Sequence, residues 1–139
     1  TSNYVDDIKG LNERLNAFNI ANTGIDKLEA CIDVWGNYIP EIIGLAKALL
    51  ATRDTDEATA AAWDNNMRCL RDICQETIET LAREGKLKSG WSQEQATDLF
   101  WTTISIHQWE QLTTECGWST AQYIDRMKVM LKSAFVEES

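Results

Sequence analysis

Apolar residues recur along this chain at steps of three and four, the period of a helix with one buried face, with no sustained alternation of the kind a half-buried strand shows. Val5, Ile8, Leu11, Leu15 and Phe18 predict a first, loosely specified helix over Ser2–Phe18. After "NTG", residues Ile25, Leu28, Cys31, Ile32, Trp35 and Ile39 share one face of a helix over Ile25–Ile39, with Thr23 and Asp26 at its cap. Pro40 suits a first helical turn, where its missing N–H would be unpaired anyway, so a separate helix is predicted over Pro40–Ala51. Asp54 or Thr55 then caps a long helix reaching about Glu84. Its stripe is Trp63, Met67, Leu70, Cys74, Thr77, Ile78 and Leu81; Asp64, Arg68, Asp72, Glu76, Glu79 and Arg83 face away.

Gly85 and Gly90 end that helix, and Ser92 with Gln95 forms a capping box opening the next, Ser92–Ser105. Ala96, Leu99, Phe100, Thr103 and Ile104 define one face there, while Trp101 points about 100° away from Phe100. A short helix over His107–Glu115 meets the corner "ECGWSTAQY", where Gly117 can turn left-handed and Ser119 with Gln122 starts the last helix, Ser119–Val136. Tyr123, Ile124, Met127, Met130, Leu131, Ala134 and Phe135 span an arc of about 140° on it, wide enough for two partners. The expected fold is all-α, an antiparallel bundle of about six helices forming one domain over 1–139.

Composition narrows the function. With 22 acidic against 13 basic residues the net charge is −9, a field that repels phosphates, so this chain alone is not expected to hold DNA. Arg126, Lys128 and Lys132 do cluster on the last helix, but they flank its apolar arc and read as a solvated rim. No apolar run approaches the roughly 18 residues of a membrane span, and the first residues lack a signal-peptide block, so no membrane partner and a cytoplasmic location are expected. Cys31, Cys69, Cys74 and Cys116 have no metal-ligand spacing and read as reduced structural thiols.

Candidate chemistry is sparse. His107 is the single histidine, no serine or cysteine has a base at recognisable spacing, and no phosphate loop is present, so no enzyme, catalytic residue or cofactor is expected. His107 and Glu110 share a helical face, but two ligands are too few for a metal site; His107 is either an ordinary polar residue or a hydrogen-bonding group in a cavity. Six tryptophans are many for this length, and Trp63 reads as core or as cavity wall. Ligand pockets are mostly apolar with a few polar groups, which makes Trp35, Trp63, Met67, Leu70, Phe100, Thr103 and His107 a coherent candidate lining.

The segments "GKLKSGWSQEQATDLFWTTIS" and "LTTECGWSTAQYIDRMKVMLKSAF" resemble the C-terminal regulatory domain of tetracycline-repressor-type (TetR) transcription factors, in the form that ends in "DLLW…S…ERGWS…Y…L…L". The matching positions are Asp98, Leu99, Phe100, Trp101, Ser105, Leu112, Glu115, Gly117, Trp118, Ser119, Tyr123 and Leu131. The upstream "LAKALLATRDTDEATAAAWDNNMRCLRDICQ" is similar to the same domain, so the resemblance covers about Leu45 to Phe135. It implies a ligand-sensing module of a repressor that binds a small, largely apolar effector. It also implies a homodimer whose last helices form a four-helix bundle, with Trp101, Tyr123, Met127, Met130, Leu131 and Ala134 at the interface. Nothing before Leu45 reads as a basic helix-turn-helix, so DNA contact would belong to a domain missing from this chain. Ile106 and His107 stand where many relatives read Pro-Glu, so the ligand's identity does not transfer. The alternative is a helical interaction or scaffold domain with a solid core and no ligand.

Overall fold

The computed structural model describes residues 15–52 and 57–137, with side chains described for only part of the stretch between 41 and 66. Within that span the chain is all-α: α1 Asn16–Ile20, α2 Gly24–Thr52, α3 Glu57–Arg83, α4 Gln93–Thr103, α5 Ile106–Glu110 continuing into a π-helical turn Gln111–Glu115, and α6 Thr120–Phe135. Helix α2 packs against α1, α3 and α6, while α4 covers the other flank of α3. No helix among the described residues is long and apolar enough to cross a membrane.

Local chemistry sets most of the boundaries. Thr23 Oγ1 accepts from the Asp26 N–H at the start of α2, and Ser92 Oγ accepts from the Gln95 N–H at the start of α4. At α6 the capping box is complete: Ser119 Oγ accepts from the Gln122 N–H, and Gln122 Oε1 accepts from the Ser119 N–H. Gly85 takes φ +71°, and the Lys86 and Gly85 N–H groups donate back to the Leu81 and Ala82 carbonyls, closing α3 in a Schellman turn. Gly117, at φ +76°, ends the π turn in the same left-handed way.

Two expectations change, and part of a third lies outside the described residues. The first helix is described only from Leu15, so Val5, Ile8 and Leu11 lie outside the described residues, as do Asp54 and Thr55. Pro40 does not open a new helix; it lies inside the continuous α2. Interior proline costs about 3 kcal/mol, but Trp35, Tyr38 and Ile39, buried just ahead of it, hold the helix in place, each contributing about 2 kcal/mol. Lys128 and Lys132 are no free rim: each reaches across to α2, pairing with Asp33 and Glu29 at 2.8 Å.

The core is one contiguous cluster from all these helices. Its largest fully buried side chains are Trp35, Tyr123, Phe18, Phe100 and Phe135. Phe135 packs α6 against α4, its ring 6.1 Å from Phe100 and 5.1 Å from Trp91 just ahead of that helix. The α2–α6 approach depends on Gly36, where a Cβ would sit 2.5 Å from Ile124 Cγ1. Leu99 leaves its predicted face and is exposed, because α4 buries Ala96, Thr97, Phe100 and Ile104 instead. Among the cysteines, Cys31 and Cys74 are buried, Cys69 is half-buried and Cys116 is exposed, all unbridged.

Candidate ligand-binding site

Helices α3 and α4 run alongside each other with their apolar stripes inward, and near the end of α4 the seam opens into a groove of about 250 Å³. Met67 and Leu70 line it from α3, Trp101 and Thr102 from α4, and Ser105 from the turn that follows. The walls are apolar and the polar groups are two hydroxyls, the balance expected of a small-molecule site, at a volume just under the roughly 300–1,000 Å³ of drug-sized pockets. Broader depressions, of about 470 Å³ beside Asp125 and Lys128 and about 700 Å³ beside Lys86, Lys132 and Glu137, each include charged side chains in their linings.

The two hydroxyls differ in what they can offer. Thr102 Oγ1 donates back to the Asp98 carbonyl at 2.9 Å, spending its proton on its own helix. Ser105 Oγ accepts from the Gln108 N–H as the cap of α5, which leaves its own proton for an incoming acceptor. The Trp101 ring is held at the mouth by the Arg71 guanidinium, 5.2 Å from its centroid, and Arg71 is fixed in turn by Asp98. The groove therefore suits a compact apolar body carrying one hydrogen-bond acceptor.

The structure brings Met67 and Leu70 together as lining and places Trp35, Phe100, Thr103 and His107 elsewhere. Trp35 is 1% exposed, and its Nε1 donates to the Ile104 carbonyl at 2.6 Å, so it belongs to the closed core with Phe100. Thr103 is half-buried outside the groove, and His107 is exposed on α5. Trp63 lies on α3, with its side chain outside the described residues. Of the proposed interface residues, Tyr123, Met127 and Leu131 pack into the protomer's own core, Met130 is 43% exposed, Ala134 is half-buried and Trp101 lines the groove. Sequence reasoning missed Thr102 and Ser105. The available signal was the turn itself, since Ser105 with Gln108 repeats the serine-cap spacing recognised at Ser92 and Ser119.

Two buried polar atoms have no partner among the described residues, Trp109 Nε1 and the Tyr123 hydroxyl. Burial, and secondarily the nearby Cys31 thiol, holds the Tyr123 phenol well above its usual range. Burial, and then the Cys31 thiol, likewise raises Cys74. An unpartnered buried hydroxyl costs about 1–3 kcal/mol, so Tyr123→Phe is expected to raise stability by about 1 kcal/mol in urea unfolding, the rest being offset by lost packing. A loss of the same size would mean that the hydroxyl has a partner. The folded state keeps this proton, while the unfolded chain releases it near the ordinary tyrosine value of about 10. The phenol's contribution is therefore fully present below that pH and is lost as pH rises above it.

Comparison of the chain with protein-family models, with curated protein sequences and with solved structures finds no match.

Proposed function

We propose that this chain is the effector-sensing, dimerising domain of a TetR-type transcriptional repressor, that it binds a small, largely apolar ligand, and that it is not an enzyme. The observation that carries the reading is the groove lined by Met67, Leu70, Trp101, Thr102 and Ser105, because it lies within the segments that carry the family resemblance. The Gly117 turn and the complete Ser119–Gln122 capping box, at the corner that leads into α6, agree with the same resemblance. Ligand seated between α3 and α4 would favour one helix arrangement over another, and DNA contact would belong to an N-terminal domain outside this chain.

The scaffold reading has its own support: Trp35 and Phe100, proposed as cavity wall, fill a closed core at 1% and 0% exposure. The two readings separate on binding of prodan, a fluorescent naphthalene with a single ketone. The sensor reading expects saturable binding of one molecule per chain with a blue-shifted emission. Trp101→Ala should weaken it about tenfold, which corresponds to about 1.4 kcal/mol, while shifting Tm by only a few degrees, since the indole is half-buried. Unsaturable partitioning, or equal binding by the variant, would favour the scaffold.

A further inference from the structure

Lys27 is the one buried charged residue among the described residues, and its surroundings are unusual for a lysine. It stands in the first turn of α2 with a side chain only 11% exposed. From α2 its ammonium reaches two other helices at once. Nζ donates to the Phe18 carbonyl in α1 at 3.3 Å, lies 4.5 Å from the centroid of the Phe18 ring, and pairs with Glu76 Oε2 of α3 at 3.0 Å. The Phe18 carbonyl is also the acceptor for the Ala21 N–H that closes α1, so the lysine binds α1 at its terminating turn. One cation with three protons thus serves a helix end, an aromatic face and a carboxylate.

Helix α1 needs such an anchor. At five residues it is far below the ~12–15 at which an isolated helix is even marginal in water, so it exists by docking. Its own apolar contribution is Leu15 and Phe18, both buried. The Glu76 end of the contact is different: that side chain is 52% exposed and projects from the outer part of α3. The buried half of the contact belongs to α1, and the half open to solvent belongs to α3.

We infer that Lys27 is a latch, holding α1 docked while Glu76 completes its ion pair and releasing α1 as a unit when α3 carries Glu76 away. The inference stands independently of the ligand reading, although Met67 and Glu76 lie on the same helix, nine residues or about 14 Å apart.

Hydrogen–deuterium exchange of the full chain tests it without any ligand. Peptides over 15–21 report α1, and peptides over α4 and α6 report global opening. Lys27→Met, which keeps the apolar stem, should speed α1 exchange about tenfold, and Glu76→Gln about threefold, the smaller effect fitting a partly exposed pair. Exchange of α4 and α6 should stay within about twofold of the parent, a shift no larger than the usual scatter between independent sites. Lys27→Met combined with Glu76→Gln should match Lys27→Met alone, because the ion pair to Glu76 is already lost in Lys27→Met, and Lys27→Arg should retain protection. Should Lys27→Met fail to fold, Glu76→Gln decides alone, since it alters an exposed carboxylate without opening the core. Acceleration of α1 together with α4 and α6, an unaltered α1 in Glu76→Gln, or additive effects in the double variant would overturn the latch.

Discussion

Trp35→Ala is expected to lower stability by about 3–5 kcal/mol, the range for deleting a core aromatic. Trp35 is 1% exposed and stands in the middle of the central helix α2, its ring 6.2 Å from that of Tyr38. Two losses combine in the variant. The indole volume becomes a cavity that α2 cannot close, because Gly36 already brings it against Ile124. The Ile104 carbonyl, which accepts the indole N–H at 2.6 Å, is left without that donor at the end of α4. Against a typical total of about 5–15 kcal/mol, such a loss moves the urea midpoint far down without changing the slope. Trp35→Phe separates the two terms: it keeps most of the volume, so it should cost about 1–2 kcal/mol, near the value of one buried hydrogen bond. A loss under about 1 kcal/mol for the alanine variant would show a loosely packed centre.

The second large effect concerns self-association in the proposed dimer. With Tyr123, Met127 and Leu131 facing inward, the large apolar side chains left exposed on α6 and α4 are Val129, Met130 and Leu99, at 54%, 43% and 40% exposure. A two-fold seam formed by α4 and α6 would cover Leu99 and Met130. Sedimentation equilibrium at tens of micromolar is expected to show a dimer, and Leu99→Glu with Met130→Glu to give a folded monomer. A carboxylate buried without a partner costs several kcal/mol, and about 4 kcal/mol weakens association roughly a thousandfold. Both positions are open in the protomer, so helicity should be retained. A parent chain that sediments as a monomer, or a variant that remains dimeric, would remove this seam.

Features set by a few neighbouring residues are legible in the sequence. The serine caps and the left-handed glycines at 85 and 117 depend on hydrogen bonds within one turn, and the inward stripe of α3 through Leu70, Cys74, Thr77, Ile78 and Leu81 follows from helical period alone. Features set by distant packing are not. Pro40 carries a local signal to begin a helix, yet side chains buried on the preceding turns carry α2 through it. The wide arc of α6 suggests an external partner, but most of it is consumed at home, since Gly36 lets α2 draw close and Phe100 and Trp91 meet Phe135 from the other side. The groove is half legible. Met67 and Leu70 are marked by periodicity, whereas the choice between Phe100 and Trp101 as the wall depends on the neighbour α4 meets, a non-local matter.

The paired lysines of α6 bear on how the chain reaches this state. Lys128–Asp33 and Lys132–Glu29 join residues 95 and 103 positions apart, whereas Arg71–Asp98, between α3 and α4, spans 27. Closing a longer loop costs more entropy, so the α3–α4 hairpin can assemble early while the α2–α6 seam must await most of the chain. Contacts formed after the rate-limiting step act on escape from the native state and scarcely on arrival, so removing either lysine should steepen the loss of folded molecules while leaving the refolding rate nearly as it was.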